Sequence, residues 1–524
     1  MLNCDPIKDL GARARHRSTA QFDHDAPISG HSGLSLARPR QILSNEAWSH
    51  ENAAASHGGS WVGRGWTGAK WWVKYGATQG PGKAPQSDYP RDPPMRAILL
   101  TLFTTGGLQA INLIGSILAA RLLLPEGRGE FAAAMLWPTT IAYLVVIGLN
   151  DAVMFFSANG RLPARRVFAN ALWLGVAVSL IGIGLGWWVA LPLAYDGMRS
   201  EVVEAARLLL LIIPCHILGM VFQEMLRGHM RLGVWNALRL SLGGVYVLAV
   251  AGVWLLFDIA TVTSFAVAWL VAHIIPTLVA AALCVAAGWG GWRPDRPAST
   301  ELVSYGLKIH TSNVVGMMNG RVDQMLIQQN LAPAALGLYV VAVNLAQLTA
   351  TLANSVAMIA FPRACAADVD SRPAVIGLYL RLTLGLMLAT TGGLALLAPL
   401  ALSLLWGPAF AEASDLVRVL LLGVIPLALK DFAVLTFKAY DRALALNQAE
   451  VASLILNGVL LWWLVPAHGL MGAAIAYVVT RWAAALYLGW LVRSTLGLSL
   501  SALLRPTRAD WHRLTAGLAT LRQR

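Results

Sequence analysis

Residues 97–120 read AILLTLFTTGGLQAINLIGSILAA, a run without a single charged side chain. As an α-helix rising 1.5 Å per residue, a run of this length exceeds the roughly 30 Å of hydrocarbon in a bilayer. Comparable apolar runs follow at 131–156, 167–191, 204–226, 234–257, 262–288, 305–329, 336–361, 375–401, 415–437, 447–465 and 470–492. The pattern predicts an all-α polytopic membrane protein with twelve transmembrane helices. Pro138, Pro214, Pro276 and Pro426 fall inside these runs. Membrane helices tolerate such residues because neighbouring helices satisfy the freed backbone groups.

The bulk composition agrees. Of 524 residues, 57% are hydrophobic and 13% charged, and the mean hydropathy is +0.59. A soluble domain carries about 25% charged residues, so this chain has too little polar surface to cover a soluble globule. An ordinary soluble enzyme and disorder over most of the chain are both excluded. The net charge of +13 is scattered between apolar runs, which argues for basic loops on one side of a membrane and against nucleic-acid binding. Cys4, Cys215, Cys284 and Cys365 form no CxxC pair, so neither a disulfide framework nor a metal site is expected. Gly82-Lys83 is followed by Ala84, so the chain has no phosphate loop of the ATPase type, and no cofactor is expected.

Residues 1–94 are rich in His, Ser, Gly and Asp and contain no sustained apolar run. They read as a disordered cytoplasmic extension. Met95, just ahead of the first span, is an alternative start. With the N-terminus inside, the inner loops hold eleven Lys or Arg, among them Arg161, Arg165, Arg166, Arg227, Arg231, Arg363 and Arg372. The outer loops hold three: Arg121, Arg128 and Arg199. This asymmetry places both termini in the cytoplasm. In the tail, Trp511, Leu514, Leu518 and Leu521 recur at helical spacing among arginines, as in a basic amphipathic helix lying on lipid headgroups.

The chain repeats itself. Pro125-x3-Gly129-x-Phe131 matches Pro333-x3-Gly337-x-Tyr339 at an offset of 208 residues. Pro214 matches Pro426, and Arg227, Arg231 and Asn236 match Lys438, Arg442 and Asn447. Ala268 and His273 pair with Ala476 and Arg481. Six spans per repeat is an even number, so the two halves insert in the same orientation. The expected organisation is a six-helix lobe over 95–292, a second over 293–492, a central cavity between them, and a basic tail over 493–524. Transporters with parallel repeats place their substrate site at such an interface.

Two stretches carry a resemblance to a known family. They are Ala120-Arg121-Leu122-Leu123-Leu124-Pro125-Glu126-Gly127-Arg128-Gly129-Glu130-Phe131, and Arg321-Val322-Asp323-Gln324-Met325-Leu326-Ile327 followed by Leu336-Gly337-Leu338-Tyr339-Val340-Val341-Ala342. With Phe361-Pro362 ending span 8 and basic turns after spans 4 and 10, they resemble the bacterial oligosaccharide flippases. That family belongs to the multidrug/oligosaccharidyl-lipid/polysaccharide exporter superfamily. The resemblance covers about residues 97–492. It implies transfer of a polyprenyl-diphosphate-linked glycan from the inner to the outer leaflet of a bacterial inner membrane. The partners it implies are the lipid-linked glycan, membrane lipids, and a polysaccharide polymerase or glycosyltransferases.

Span 7 is the polar one, holding Lys308, His310, Asn313, Asn319, Arg321, Asp323, Gln324 and Gln328. Charges within a bilayer face a cavity or a partner. On one helix Arg321, Gln324 and Gln328 share a stripe, with Asp323 on another. The expectation is that the Arg321 stripe faces the cavity, where a guanidinium grips phosphate oxygens. Arg481 and Lys308 are further substrate-binding candidates, and Asp323 and Asp431 are candidates for ion coupling. An interhelical ion pair is the competing reading for Arg321, Asp323 and Arg481. His216 and His273 are expected to be satisfied by neighbouring helices, and Asn112, Asn236, Asn344 and Asn447 to bond between helices. Two other functions compete with a flippase. A cation-coupled multidrug exporter of the same superfamily would favour an acidic cavity. A membrane polymerase or glycosyltransferase would need larger outer loops than the dozen or so residues near 192–203 and 402–414.

Overall fold

The computed structural model describes residues 95–368, 371–440, 445–498 and 503–505. The extension expected over 1–94 and most of the tail expected over 493–524 lie outside the described residues, as do the side chains of Phe361, Pro362, Lys438, Arg442 and Asn447.

The described residues form helices and no strand. Nine helical segments among them are long and apolar enough to cross a membrane. Two of the nine, Thr104–Val145 and Gln448–Leu496, are each broken once. The breaks fall at Leu124 (φ 59°, ψ 178°), where Pro125 disfavours helix in the residue before it, and at Gly469 (φ 58°, ψ −136°), where a missing Cβ permits positive φ. Counting each as two crossings gives eleven. The polar span 7 is not among them.

Span 7 is not one helix. Arg296–Asn319 ends at Gly320 (φ −96°, ψ 3°), and Val322–Asn330 begins after Arg321 (φ −128°, ψ −26°). The break corrects the expectation that Arg321 lies on a continuous helical stripe with Gln324 and Gln328: Arg321 caps the second helix. The first helix packs mainly against the N-terminal half and also against Ala445–Leu496, the second mainly among helices of the C-terminal half.

The halves meet closely at the end opposite the Arg-rich turns. The repeated motif packs against its own copy there. A Cβ on Gly129 would lie 1.7 Å from the Pro333 carbonyl oxygen, and one on Gly337 would lie 2.1 Å from the Pro125 carbonyl oxygen. Only glycine at both positions allows the two backbones this approach. Beside it, Arg121 donates to the Leu404 and Leu405 carbonyls that close span 9. A core containing Tyr339, Leu345, Trp406 and Phe410 of the second half includes Ala120, Ala132 and Ala133 of the first. At the Arg-rich end, Gly306 of span 7 abuts Gly148 with the same backbone intimacy, His310 Nε2 lies 2.9 Å from the Leu144 carbonyl, and Arg161 meets Glu301 at 3.6 Å. Trp187, Trp188, Trp254, Trp292, Trp462, Trp463 and Trp490 are exposed near helix ends, as in interfacial belts.

Candidate functional site

The break in span 7 places Arg321 between the two halves. Its guanidinium is half-buried and within electrostatic reach of Tyr143 and His216 from the first half and Asp323 from the second. No ion pair within 4 Å engages it among the described residues. Asp323, two residues on, is buried. It accepts a 2.6 Å hydrogen bond from the Tyr339 hydroxyl and a 2.8 Å bond from the Gln324 backbone N–H. Arg481 of span 12 also acts electrostatically on Asp323, and its guanidinium sits 4.8 Å from the Tyr477 ring centroid. Two guanidinium groups thus lie within electrostatic reach of one carboxylate that is hydrogen-bonded by a phenol. The arrangement carries a net positive charge next to the seam.

Behind Arg481 the polarity continues into the second half. Asn319, Lys430, Ser453, Asn457, Thr480 and Arg481 line a small recess. Lys430 Nζ meets Glu450 Oε1 at 2.5 Å, and Asn319 Nδ2 donates to the Glu450 backbone oxygen at 3.1 Å. The first half answers with aromatic rings. His216 lies edge-on to Tyr143 with centroids 4.8 Å apart, and 5.6 Å from His273. No group of three or more metal-ligating side chains occurs among the described residues.

A family model described as a polysaccharide biosynthesis protein matches residues 117–415. The chain belongs to that family. Comparison with curated proteins finds no match. Among solved structures, the lipid II flippase MurJ in an inward closed conformation aligns at a TM-score of 0.65 with 13% identity, covering 75% of this chain and 87% of that one. A multidrug resistance MATE family transporter of the MOP superfamily, inward-facing, aligns at 0.59 with 16% identity over 78% of this chain and 98% of that one. The same kind of transporter in an outward-facing conformation aligns at 0.52 with 16% identity, covering 78% and 96%. This family member is a multi-pass membrane protein with the fold of those transporters.

Of the residues singled out in the polysaccharide biosynthesis chain, Arg321, Asp323 and Arg481 come together. Gln324 is half-buried beside them. Gln328 does not line open space: it is buried, and its Nε2 donates to the Ala194 carbonyl at 3.0 Å, tying span 7 to the end of span 3. Lys308 is exposed on the first helix of span 7, on the Arg-rich side of the break. Asp431 is half-buried on span 10 next to Lys430. His273 bonds within its own helix, its Nδ1 lying 2.9 Å from the Trp269 carbonyl, whereas His216 Nε2 is buried without a partner among the described residues. Asn344 does bond between helices, to Ser116.

Tyr339 and Glu450 were not anticipated. Tyr339 was visible as a divergence within the repeat. Its counterpart Phe131 has no hydroxyl and packs edge-on against Phe265, and the position matching Asp323 at the same offset is Gly115. The hydroxyl and the carboxylate stand together in one half, and the matching positions of the other half have neither. Glu450 gave no signal, because pairing between spans 10 and 11 depends on how the helices rotate against each other.

Proposed function

We propose that this chain flips a polyprenyl-diphosphate-linked oligosaccharide from the inner to the outer leaflet of a bacterial inner membrane by alternating access, for surface polysaccharide biosynthesis. In this reading the Arg-rich turns and both termini are cytoplasmic. The observation that carries it is Arg321: a charge at a helix break inside the membrane, turned toward both halves and engaged by no close carboxylate. A guanidinium so placed offers its donor fork to diphosphate oxygens. Arg481 adds a second positive charge. Asp323 offsets part of that charge, and its ionisation is a means of coupling substrate release to an ion. Membership in the polysaccharide biosynthesis family supports a glycan substrate. The multidrug exporter reading fits the same fold, but a seam with two guanidinium groups repels cationic drugs.

The test is reconstitution into vesicles carrying a fluorescent polyprenyl-diphosphate oligosaccharide, with flipping followed by a membrane-impermeant quencher. Arg321→Ala should slow flipping at least about tenfold, the effect of losing one or two charge-assisted hydrogen bonds, and Arg321→Lys should restore part of it. Equal rates in wild type and Arg321→Ala, with equal amounts reconstituted, would remove this assignment.

A further inference from the structure

Spans 1 and 8 carry matching sets of polar, uncharged side chains. Gln109, Asn112 and Ser116 stand at i, i+3 and i+7 of span 1, and Asn344, Gln347 and Thr351 at i, i+3 and i+7 of span 8. Residues at these spacings share one helix face. The two spans run antiparallel, so the register sets Ser116 against Asn344, Asn112 against Gln347 and Gln109 against Thr351. One rung is closed: Asn344 Nδ2 donates to Ser116 Oγ at 3.2 Å, and Trp406 Nε1 donates to the same oxygen at 3.1 Å. The other two rungs border a cavity of about 160 Å³ lined by these six residues with Leu113 and Leu348.

The amides of Gln109, Asn112 and Gln347 hydrogen-bond to no other side chain among the described residues. Gln109 and Asn112 lie midway along the run 97–120. All three are exposed to the cleft, so their donors and acceptors are open to whatever polar molecule enters it. Three such groups facing one cavity therefore point to a polar occupant. No Asp, Glu, Lys or Arg lines it, so it selects neither an anion nor a cation. Amides and hydroxyls both donate and accept hydrogen bonds, as the hydroxyls of a sugar do. A diphosphate would find no positive charge here, and an isoprenoid chain would leave the amides unsatisfied. We propose that the cleft between spans 1 and 8 is a subsite for an uncharged sugar unit of the transported lipid. This rests on the glycolipid reading above, and divides the headgroup between a charged site at Arg321 and a neutral one at the seam.

The test measures affinity of the purified full chain for two probes: a C55 polyprenyl diphosphate, and the same lipid bearing one neutral hexose. The readout is the ratio of the two dissociation constants, which does not depend on the fraction of active protein. Wild type should favour the hexose-bearing lipid by about tenfold, the contribution of one to three net hydrogen bonds. Gln109→Leu combined with Gln347→Leu should bring the ratio close to one. If that pair does not yield monodisperse protein, Asn112→Ala is read in the same way and should lower the ratio. A wild-type ratio of one, or a ratio unchanged in these variants, overturns the subsite and leaves the six side chains as the wall of a water-filled seam. Arg321→Ala should weaken both probes and leave the ratio alone. Should Arg321→Ala bind both as wild type does while the cleft variants abolish the preference, the diphosphate reading falls and the subsite stands.

Discussion

Adding one methyl group at Gly129 should force the two halves apart. The Cβ of Gly129→Ala would sit 1.7 Å from the Pro333 carbonyl oxygen and 2.6 Å from its carbon. Ordinary contact begins near 3.4 Å, so one backbone must retreat by about half that distance. Both obstructing atoms belong to the backbone, so no side-chain rotation relieves the clash. Overpacking of this kind costs about 1–3 kcal/mol, occasionally more. Gly337→Ala meets its obstacle at 2.1 Å and should cost somewhat less. Gly385→Ala, on span 9 with nothing within 4 Å of the added carbon, is the control; it should be neutral or stabilising by up to about 1 kcal/mol, since alanine is the better helix former. Thermal unfolding in detergent should rank Gly129→Ala lowest, then Gly337→Ala, then wild type and Gly385→Ala. A second measurement reads the seam directly. Cysteines replacing Ser116 and Asn344, which touch at 3.2 Å, should cross-link readily in the parent and poorly when Gly129→Ala is added. If Gly129→Ala matches Gly385→Ala in stability and keeps full cross-linking, the halves are not held by this backbone contact.

Three further outcomes are expected. Tyr339→Phe removes the 2.6 Å donor to buried Asp323 and should destabilise the protein by about 1.5–3 kcal/mol, the range for hydrogen bonds to charged groups; an unchanged unfolding midpoint would show that the phenol does not hold the carboxylate. Lys430→Met strands Glu450 in a mostly buried pair and should cost up to about 3 kcal/mol. Adding Glu450→Gln should recover most of that loss, and a double variant no more stable than the single would contradict it. His229, beyond the end of span 4, stacks on Trp289 with centroids 4.0 Å apart, and burial holds its imidazole below its ordinary value of 6.5. The unfolded chain therefore binds this proton more readily. The contribution to stability is complete above about pH 6.5 and declines as pH falls through the depressed value. Melting between pH 7.5 and 5.5 should drop less in His229→Asn than in wild type.

The sequence shows the crossings, because membrane solvation demands long uncharged runs and penalises every exception. It also shows the repeat, through prolines and glycines whose constraints lie in the backbone. Residue types at Arg321, Asp323 and Arg481 were legible for the same reason: a charge in an apolar run needs a purpose. Helix rotation and continuity were not legible. Span 7 reads as one run, yet it breaks at Gly320–Arg321, which separates Arg321 from the stripe it shared on paper. Gln328 was grouped with the cavity because periodicity cannot tell a side chain facing water from one reaching a carbonyl on another span. The neutral ladder of spans 1 and 8 was readable only as isolated amides, since its meaning lies in the register between two helices far apart in the chain.

The Gly129–Gly337 contact is reciprocal: each glycine of the duplicated motif rests on the proline carbonyl of the other copy. Two-fold symmetry imposes this kind of self-complementarity on a pair of identical subunits. The seam inside this single polypeptide therefore has the form of a contact between two subunits. A gene cut between the halves should still yield fragments that find each other at that point.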